Sequence, residues 1–121
     1  MVKTPLTVPV YQVLLSLSDR DLHGYAIIQD IRARTHGEVD LTASTLYAAV
    51  KRMLGASLIA ELQDRPAPEL DDARRRYYSI TDQGLSVLMA EAKRLERSAE
   101  MAREKRILPA VAGPSDGEGG R

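Results

Sequence analysis

The 121-residue chain has no cysteine, no tryptophan and no phenylalanine, so tyrosine and two histidines are its only aromatic side chains. Without cysteine it can form no disulfide framework, no thiolate zinc site and no catalytic thiol. His23 and His36 are not spaced as metal ligands on one helix. No long apolar run predicts a signal peptide or a membrane span. We therefore expect a cytoplasmic protein without a metal or cofactor.

Net charge is also absent, because 17 basic residues balance 17 acidic ones. Overall charge thus gives no argument for a nucleic-acid partner, and any such argument must come from local clusters. With 44% hydrophobic residues, the chain is long enough for one compact domain and too short for a second core.

Three segments carry apolar residues at helical spacing. The first runs over residues 9–17. The second starts after Asp21, which can cap it, and ends near residues 36–37. The third covers residues 43–54 after the capping residue Thr42. The side chains of this third helix that we expect to face inward are Leu46, Val50 and Met53.

The period then changes from helical to two. Leu58, Ala60 and Leu62 alternate with their neighbours and predict a half-buried strand, and residues 76–81 predict a second one. Residues 64–74 between them are rich in turn formers and charge, which indicates an exposed hairpin loop, or wing. Within the second strand, Tyr77 and Tyr78 must point to opposite faces, but alternation does not say which one is buried.

A long helix follows over residues 82–107, capped by Thr81, and the Gly- and Pro-rich residues 109–121 predict a disordered tail. The predicted fold class is mainly α with a small β-hairpin. Three helices, a wing and a long helix give a winged helix-turn-helix domain at residues 1–81 and a C-terminal dimerisation helix at residues 82–108.

The outward face of the third helix is small, hydroxylated and basic, as a DNA recognition helix requires. An ordinary solvated helix face could look the same. A basic cluster at the base of the wing adds a second candidate contact with phosphates. Three acidic residues just before this cluster would repel phosphates unless the wing tip is directed away from DNA: Glu69, Asp71 and Asp72. The predicted DNA-binding residues are Thr42, Ser44, Thr45, Tyr47, Lys51, Arg52, Arg74, Arg75 and Arg76.

The long helix carries a narrow apolar stripe that a small wing domain cannot cover. Packing against the same helix of a second copy would bury it and place two recognition helices on one side of the dimer. The alternative is a helix folded back on its own domain. The predicted dimer residues are Leu85, Leu88, Met89, Ala92, Leu95 and Ala99.

Three motifs in order resemble those of the PadR-type regulators: residues 23–27 (HGYAI), residues 44–47 (STLY) and residues 76–84 (RYYSITDQG). The resemblance spans about residues 10–107 and is closest to the branch with a single C-terminal helix. It implies a winged helix-turn-helix dimer that represses transcription from a palindromic operator until a ligand or other signal releases it. It also implies DNA contacts by Thr45, Tyr47 and Lys51, and it puts Ser57 where the family usually has glycine.

Some relatives bind flat hydrophobic molecules between their subunits with tryptophans, which this chain lacks. Tyr11, Leu14 and Leu15, together with Leu88 and Met89, are the candidates for a hydrophobic effector pocket, with core packing as the alternative. His23 can cap the second helix or bond a neighbouring backbone group.

Two other classes of function are weighed. The zero net charge and acidic wing fit a winged-helix dimeric adaptor that binds protein and not DNA. An enzyme is disfavoured, because no nucleophile with a base, carboxylate pair or phosphate-binding glycine loop is found.

Overall fold

The computed structural model of the chain describes residues 5–62 and 76–111. Helices and strands follow one another as α1 (Val8–Leu17), β1 (Leu22–His23), α2 (Gly24–Arg34), α3 (Ala43–Gly55), β2 (Ile59–Glu61), β3 (Tyr77–Ile80) and α4 (Asp82–Glu104). The order confirms the mainly helical fold class with a small sheet. In these ranges no helix is long and apolar enough to span a membrane.

The sheet is antiparallel with the order β1-β3-β2, so it has one strand more than the predicted hairpin. Leu22 pairs with Tyr78 and His23 with Tyr77, whereas Ile59 pairs with Ile80 on the other side of β3. The additional strand has two residues, too few to show any periodicity in the sequence. Its formation depends on partners more than fifty residues further along the chain.

Side chains cap the N-terminal ends of the helices largely as expected. The Thr42 hydroxyl accepts a hydrogen bond from the Thr45 amide at 3.1 Å, and the Thr81 hydroxyl accepts one from the Gly84 amide at 2.9 Å. The prediction that Asp21 caps α2 is wrong. Because β1 keeps the chain extended through His23, the cap falls on that histidine, whose Nδ1 accepts from the Ala26 amide at 3.2 Å.

Three helices end with a residue other than glycine in the left-handed region: His36 (φ 52°), Ser57 (φ 62°) and Arg106 (φ 62°). In α3 the Leu58 amide bonds back to the Met53 carbonyl at 2.9 Å, which is the Schellman arrangement. Helices α2 and α4 end at Arg34 and Glu104, earlier than predicted, since these turns already belong to the helix exits. Each left-handed residue costs conformational energy that glycine would not.

The core lies where α1, α2 and α3 meet the sheet. The predicted inward residues of α3 are buried as expected, and Tyr78, not Tyr77, is the buried tyrosine of β3. Leu58 and Ile59 are both buried while Ala60 is exposed, so the expected alternation fails at the start of β2, where Leu58 still belongs to the helix exit. The residues at 1% exposure or less include Val13, Leu14, Leu17, Ile27, Ile31, Leu46, Met53 and Leu58.

A polar network joins α1 to α2 beside this core. Asp30 accepts hydrogen bonds from Arg34 at 2.9 Å and Arg20 at 3.0 Å, and Arg34 also donates to the buried Ser16 hydroxyl at 2.6 Å. Burial raises the pKa of Asp30. Hydrogen bonds from Arg34 and Ser16 and the charges of Arg34 and Arg20 outweigh it, so the pKa lies below its ordinary value.

The described residues form two compact units, one extending to Glu91 and one beginning at Ala92. The first unit takes in the first part of α4. There Leu88 is only 5% exposed, and the buried Glu91 accepts a hydrogen bond from the Leu6 amide at 3.2 Å. This bond ties the segment before α1 to α4.

Candidate nucleic-acid interface

Helix α3 separates an apolar face from a polar one. Leu46, Val50 and Met53 are buried, which confirms the predicted inward side. The thirteen residues of the helix include no acidic side chain. The side chains that the structure exposes on the other faces are Ala43, Ser44, Thr45, Tyr47, Ala48, Lys51 and Arg52.

Lys51 and Arg52 are the basic residues of this surface. Both are exposed, and within residues 5–62 and 76–111 neither takes part in an ion pair. By contrast, the arginines of α2 are paired with carboxylates: Arg32 with Asp40 and Arg34 with Asp30. Among the described residues, the basic side chains of α3 thus differ from those of α2 in having no carboxylate beside them.

Thr42 and Thr45 are hydrogen-bonded to each other. The Thr42 hydroxyl donates to the Thr45 hydroxyl at 3.0 Å while it accepts from the Thr45 amide. Thr42 is thus engaged at the helix N-terminus. Both residues are exposed, so their positions remain compatible with a DNA contact.

A groove of about 460 Å³ runs between the start of α1 and the exposed face of α3. The small side chain of Ala48 leaves room for it, and Arg52 lies on its border. Sequence reasoning did not find the contribution of α1, since nothing in a single helix reveals which neighbour will flank it. The groove is lined by Thr7, Pro9, Ser44, Thr45, Ala48, Ala49 and Arg52.

Tyr47 projects from α3 towards the beginning of α2. Its side chain is 48% exposed, and the end of its ring lies against the α-carbon of Gly24. Next to Gly24, the His23 ring meets the Tyr77 ring edge-on at 5.3 Å. The pKa of the buried Tyr78 is raised, first by burial and then by the charges of Glu61 and Tyr47, while the charge of Arg76 lowers it.

The predicted wing arginines fall in two groups. Arg74 and Arg75 lie outside the described residues, as do the acidic residues of the wing. Arg76 is exposed at the start of β3 and forms an ion pair with Glu61 of β2 at 3.5 Å. Its charge is therefore partly compensated, whereas Lys51 and Arg52 have no ion-pair partner among the residues that the structure describes.

The predicted dimer residues differ in exposure. Leu85 and Met89 of the first unit are 41% and 53% exposed, and Leu95 of the second unit is 39% exposed. Ala92 is exposed and Ala99 half-buried. Leu88 belongs to the hydrophobic core and is only 5% exposed, so it has little surface to offer a second copy.

The predicted effector residues also differ in exposure. Leu14 is fully buried in the core and contributes no free surface, whereas Tyr11 and Leu15 are half-buried at its edge. A separate apolar cavity of about 170 Å³ lies elsewhere, between the segment before α1 and the end of α3. No group of three or more His, Asp or Glu side chains in the described ranges could hold a metal ion.

The fold and this surface define a winged helix-turn-helix protein. The profile of the "Transcriptional regulator PadR-like family" matches residues 13–90. An uncharacterized protein from Lysinibacillus sphaericus is 30% identical over 76 residues, which make up 63% of this chain and 67% of that protein. The chain belongs to the PadR-like family of transcriptional regulators and is not an enzyme.

Solved structures show the same fold. A PadR family transcription regulator from Clostridium difficile superposes with a TM-score of 0.67 at 24% identity, over 81% of this chain and 97% of that one. A PadR-like transcriptional regulator from Bacillus cereus gives a TM-score of 0.68 at 21% identity, over 86% and 94%.

Proposed function

We propose that this regulator is a homodimeric, sequence-specific repressor that inserts α3 into the major groove of a palindromic operator. The observation that carries this proposal is the exposed face of α3, which has small and hydroxylated residues, no acidic residue, and two basic residues without an ion pair in the part of the chain that the structure describes. Small side chains allow close approach to base edges, whereas basic ones neutralise phosphates.

Different residues have different tasks in this proposal. Ser44 and Thr45, near the N-terminus of α3, face the base edges, since recognition helices contact bases mainly with their first turns. Tyr47, Lys51 and Arg52 bind the phosphate backbone, joined by Arg76 and the two arginines that precede it. The groove between α1 and α3 gives one DNA strand room to pass beside the helix.

Dimerisation follows from the apolar side chains that α4 leaves exposed. Leu85 and Met89 in the first unit, and Leu95 in the second, offer surface that a second copy can bury. With two recognition helices about one helical turn of DNA apart, roughly 34 Å, such a dimer would read two half-sites. It would repress by occupying promoter DNA.

Release by a ligand is the last part of the proposal. Tyr11 and Leu15 keep part of their surface and stay the predicted contacts for a small hydrophobic effector at the dimer contact.

Binding to the DNA directly upstream of its own gene tests the central claim. We expect a footprint with two-fold symmetry and an affinity that falls steeply with salt. Lys51→Ala should weaken binding to operator and random duplexes alike and lower the salt slope by about 1 for each subunit. Lys105→Ala, which removes the same charge from an exposed lysine beyond α4, is the matched control.

Ser44→Ala should instead change the preferred base sequence and leave binding to random DNA unaltered. If neither Lys51 nor Ser44 matters, or if binding is absent at low salt, α3 is not a DNA-reading helix. A stable dimer that binds no DNA would favour the protein-binding adaptor.

The dimer contact is tested separately by sedimentation velocity. Met89→Glu places a charge in the proposed interface and should yield monomers at concentrations at which the wild type is dimeric. Ala90→Glu adds the same charge to the neighbouring, exposed position and should leave the dimer intact. Equal sedimentation of all three proteins would place the interface elsewhere.

A further inference from the structure

The contact between Gly24 and Tyr47 is closer than any side chain at position 24 would allow. A methyl group on the Gly24 α-carbon would overlap the Tyr47 hydroxyl and come within 2.8 Å of Cζ and 3.2 Å of Cε1. The missing side chain therefore makes the space in which the end of the tyrosine ring lies. Helix α2 thus provides the surface on which an exposed residue of α3 rests.

This surface is itself held firmly. Gly24 is buried and directly follows His23, which pairs with Tyr77 in the sheet, contacts the Tyr77 ring and caps α2 through Nδ1. The strand, the cap and the ring contact all fix the backbone at residues 23–24. A ring lying on such a backbone has fewer orientations than one on an open helix surface.

We propose that Gly24 is a positioning residue for DNA binding, which holds the Tyr47 phenol in one orientation before DNA arrives. This rests on the proposed function, in which Tyr47 contacts the phosphate backbone. A side chain that is already ordered loses little conformational entropy on binding. A tyrosine displaced from Gly24 would have to be ordered when DNA binds, and this entropy cost lowers the affinity. Gly24 acts through Tyr47 and need not touch the DNA.

Gly24→Ala separates this role from a role in stability. The backbone of Gly24 is not in the left-handed region, so alanine can adopt it, and alanine is favoured over glycine in a helix. The atoms that the methyl group meets belong to the free end of a flexible side chain, which can rotate away. The variant should therefore fold as well as the wild type and yet bind DNA more weakly.

The test measures fluorescence anisotropy with a labelled duplex of the upstream DNA, at fixed salt. We expect Gly24→Ala to weaken binding about three- to tenfold for each Tyr47 side chain that contacts DNA. This factor corresponds to the conformational entropy lost when one side chain becomes ordered on binding. Gly55→Ala is the control, because no atom outside its own helix lies within 4 Å of the added methyl group. It should bind like the wild type.

A double-mutant cycle with Tyr47→Ala decides whether the effect passes through the tyrosine. Once Tyr47 is removed, Gly24→Ala should have no further effect on affinity. An equal loss in both backgrounds, or no loss in either, overturns the proposal. So does a Gly24→Ala protein that fails to fold even with Tyr47→Ala, since the methyl group would then clash with something else.

A readout without DNA keeps this inference separate from the proposed function. The chain has only five tyrosines and no other benzenoid ring, so the Tyr47 ring protons can be resolved by NMR. We expect a cross-relaxation contact between them and the Gly24 α-protons in the wild type and its loss in Gly24→Ala. Its absence in the wild type overturns the positioning role even if DNA binds, whereas its presence without any DNA binding refutes the proposed function and the DNA role of Gly24.

Discussion

Replacing Gly84 by alanine probes how closely α4 approaches Leu58, the residue just before β2. Thr81, just before α4, donates its amide to the Leu58 carbonyl at 3.1 Å, and its hydroxyl lies within hydrogen-bond distance of the same oxygen at 3.0 Å. Three residues later the α-carbon of Gly84 packs against that carbonyl. A methyl group there would overlap the Leu58 oxygen and lie 3.0 Å from the Ile80 Cγ1 atom.

The expected loss of stability depends on which atoms can move to relieve this overlap. The overlapping atom is a backbone oxygen held by Thr81, so relief requires a shift of α4 or β2, and such overpacking costs about 3 kcal/mol. The helix preference of alanine returns up to about 1 kcal/mol, which leaves a net loss of about 2 kcal/mol. With a urea slope of about 1.3 kcal/mol per molar, the midpoint should fall by about 1.5 M.

Urea denaturation followed by circular dichroism, at one protein concentration for all variants, measures this loss. Gly55→Ala, at an open position at the end of α3, is the control and should be neutral or slightly stabilising. A Gly84→Ala protein within about 0.5 kcal/mol of the wild type would refute the reasoning, because typical surface substitutions have effects of that size. It would mean that α4 does not lie against Leu58 in solution.

Two further predictions concern stability. Ser57→Gly should stabilise the protein by about 0.5–1 kcal/mol, since relief of the left-handed φ of 62° at the end of α3 outweighs the greater flexibility that glycine gives the unfolded chain; an unchanged or lower urea midpoint would contradict this. Asp30→Asn should cost about 1–2 kcal/mol at neutral pH through the lost bonds to Arg34 and Arg20. Because the pKa of folded Asp30 lies below its ordinary value of 3.8, this contribution is present above about pH 4 and disappears as the pH falls through the folded pKa. The two proteins should therefore converge in stability in acid, and a difference that persists there would argue against the ionised network.

Much of the fold could be predicted because it depends on local patterns. The apolar period of residues 43–54 defines which side of α3 is buried, and threonine hydroxyls cap α3 and α4 where the sequence places them. Apart from β1, the order of helices and strands follows from such signals, and three short motifs pointed to the family that the comparison supports.

The errors share one physical cause. The strand at Leu22–His23 exists only because Tyr77 and Tyr78 lie alongside, and no pattern within residues 19–25 records this. The sequence offered both Asp21 and His23 as caps of α2, and this strand leaves the cap to His23. Likewise Leu88 and Leu14 have the apolar character of interface residues, but packing turns them into the core.

In the candidate interface, too, some features follow from the sequence and others only from tertiary packing. The sequence alone determined which residue types α3 carries and that its outer face is basic, because helical geometry fixes the faces once the helix is known. Only the tertiary structure decided that Arg76 pairs with Glu61 while Lys51 and Arg52 form no ion pair within the described ranges, that α1 flanks the groove, and that Tyr47 rests on Gly24. These are contacts between segments distant in the chain, and their existence depends on the mutual packing of the helices, which no local period encodes.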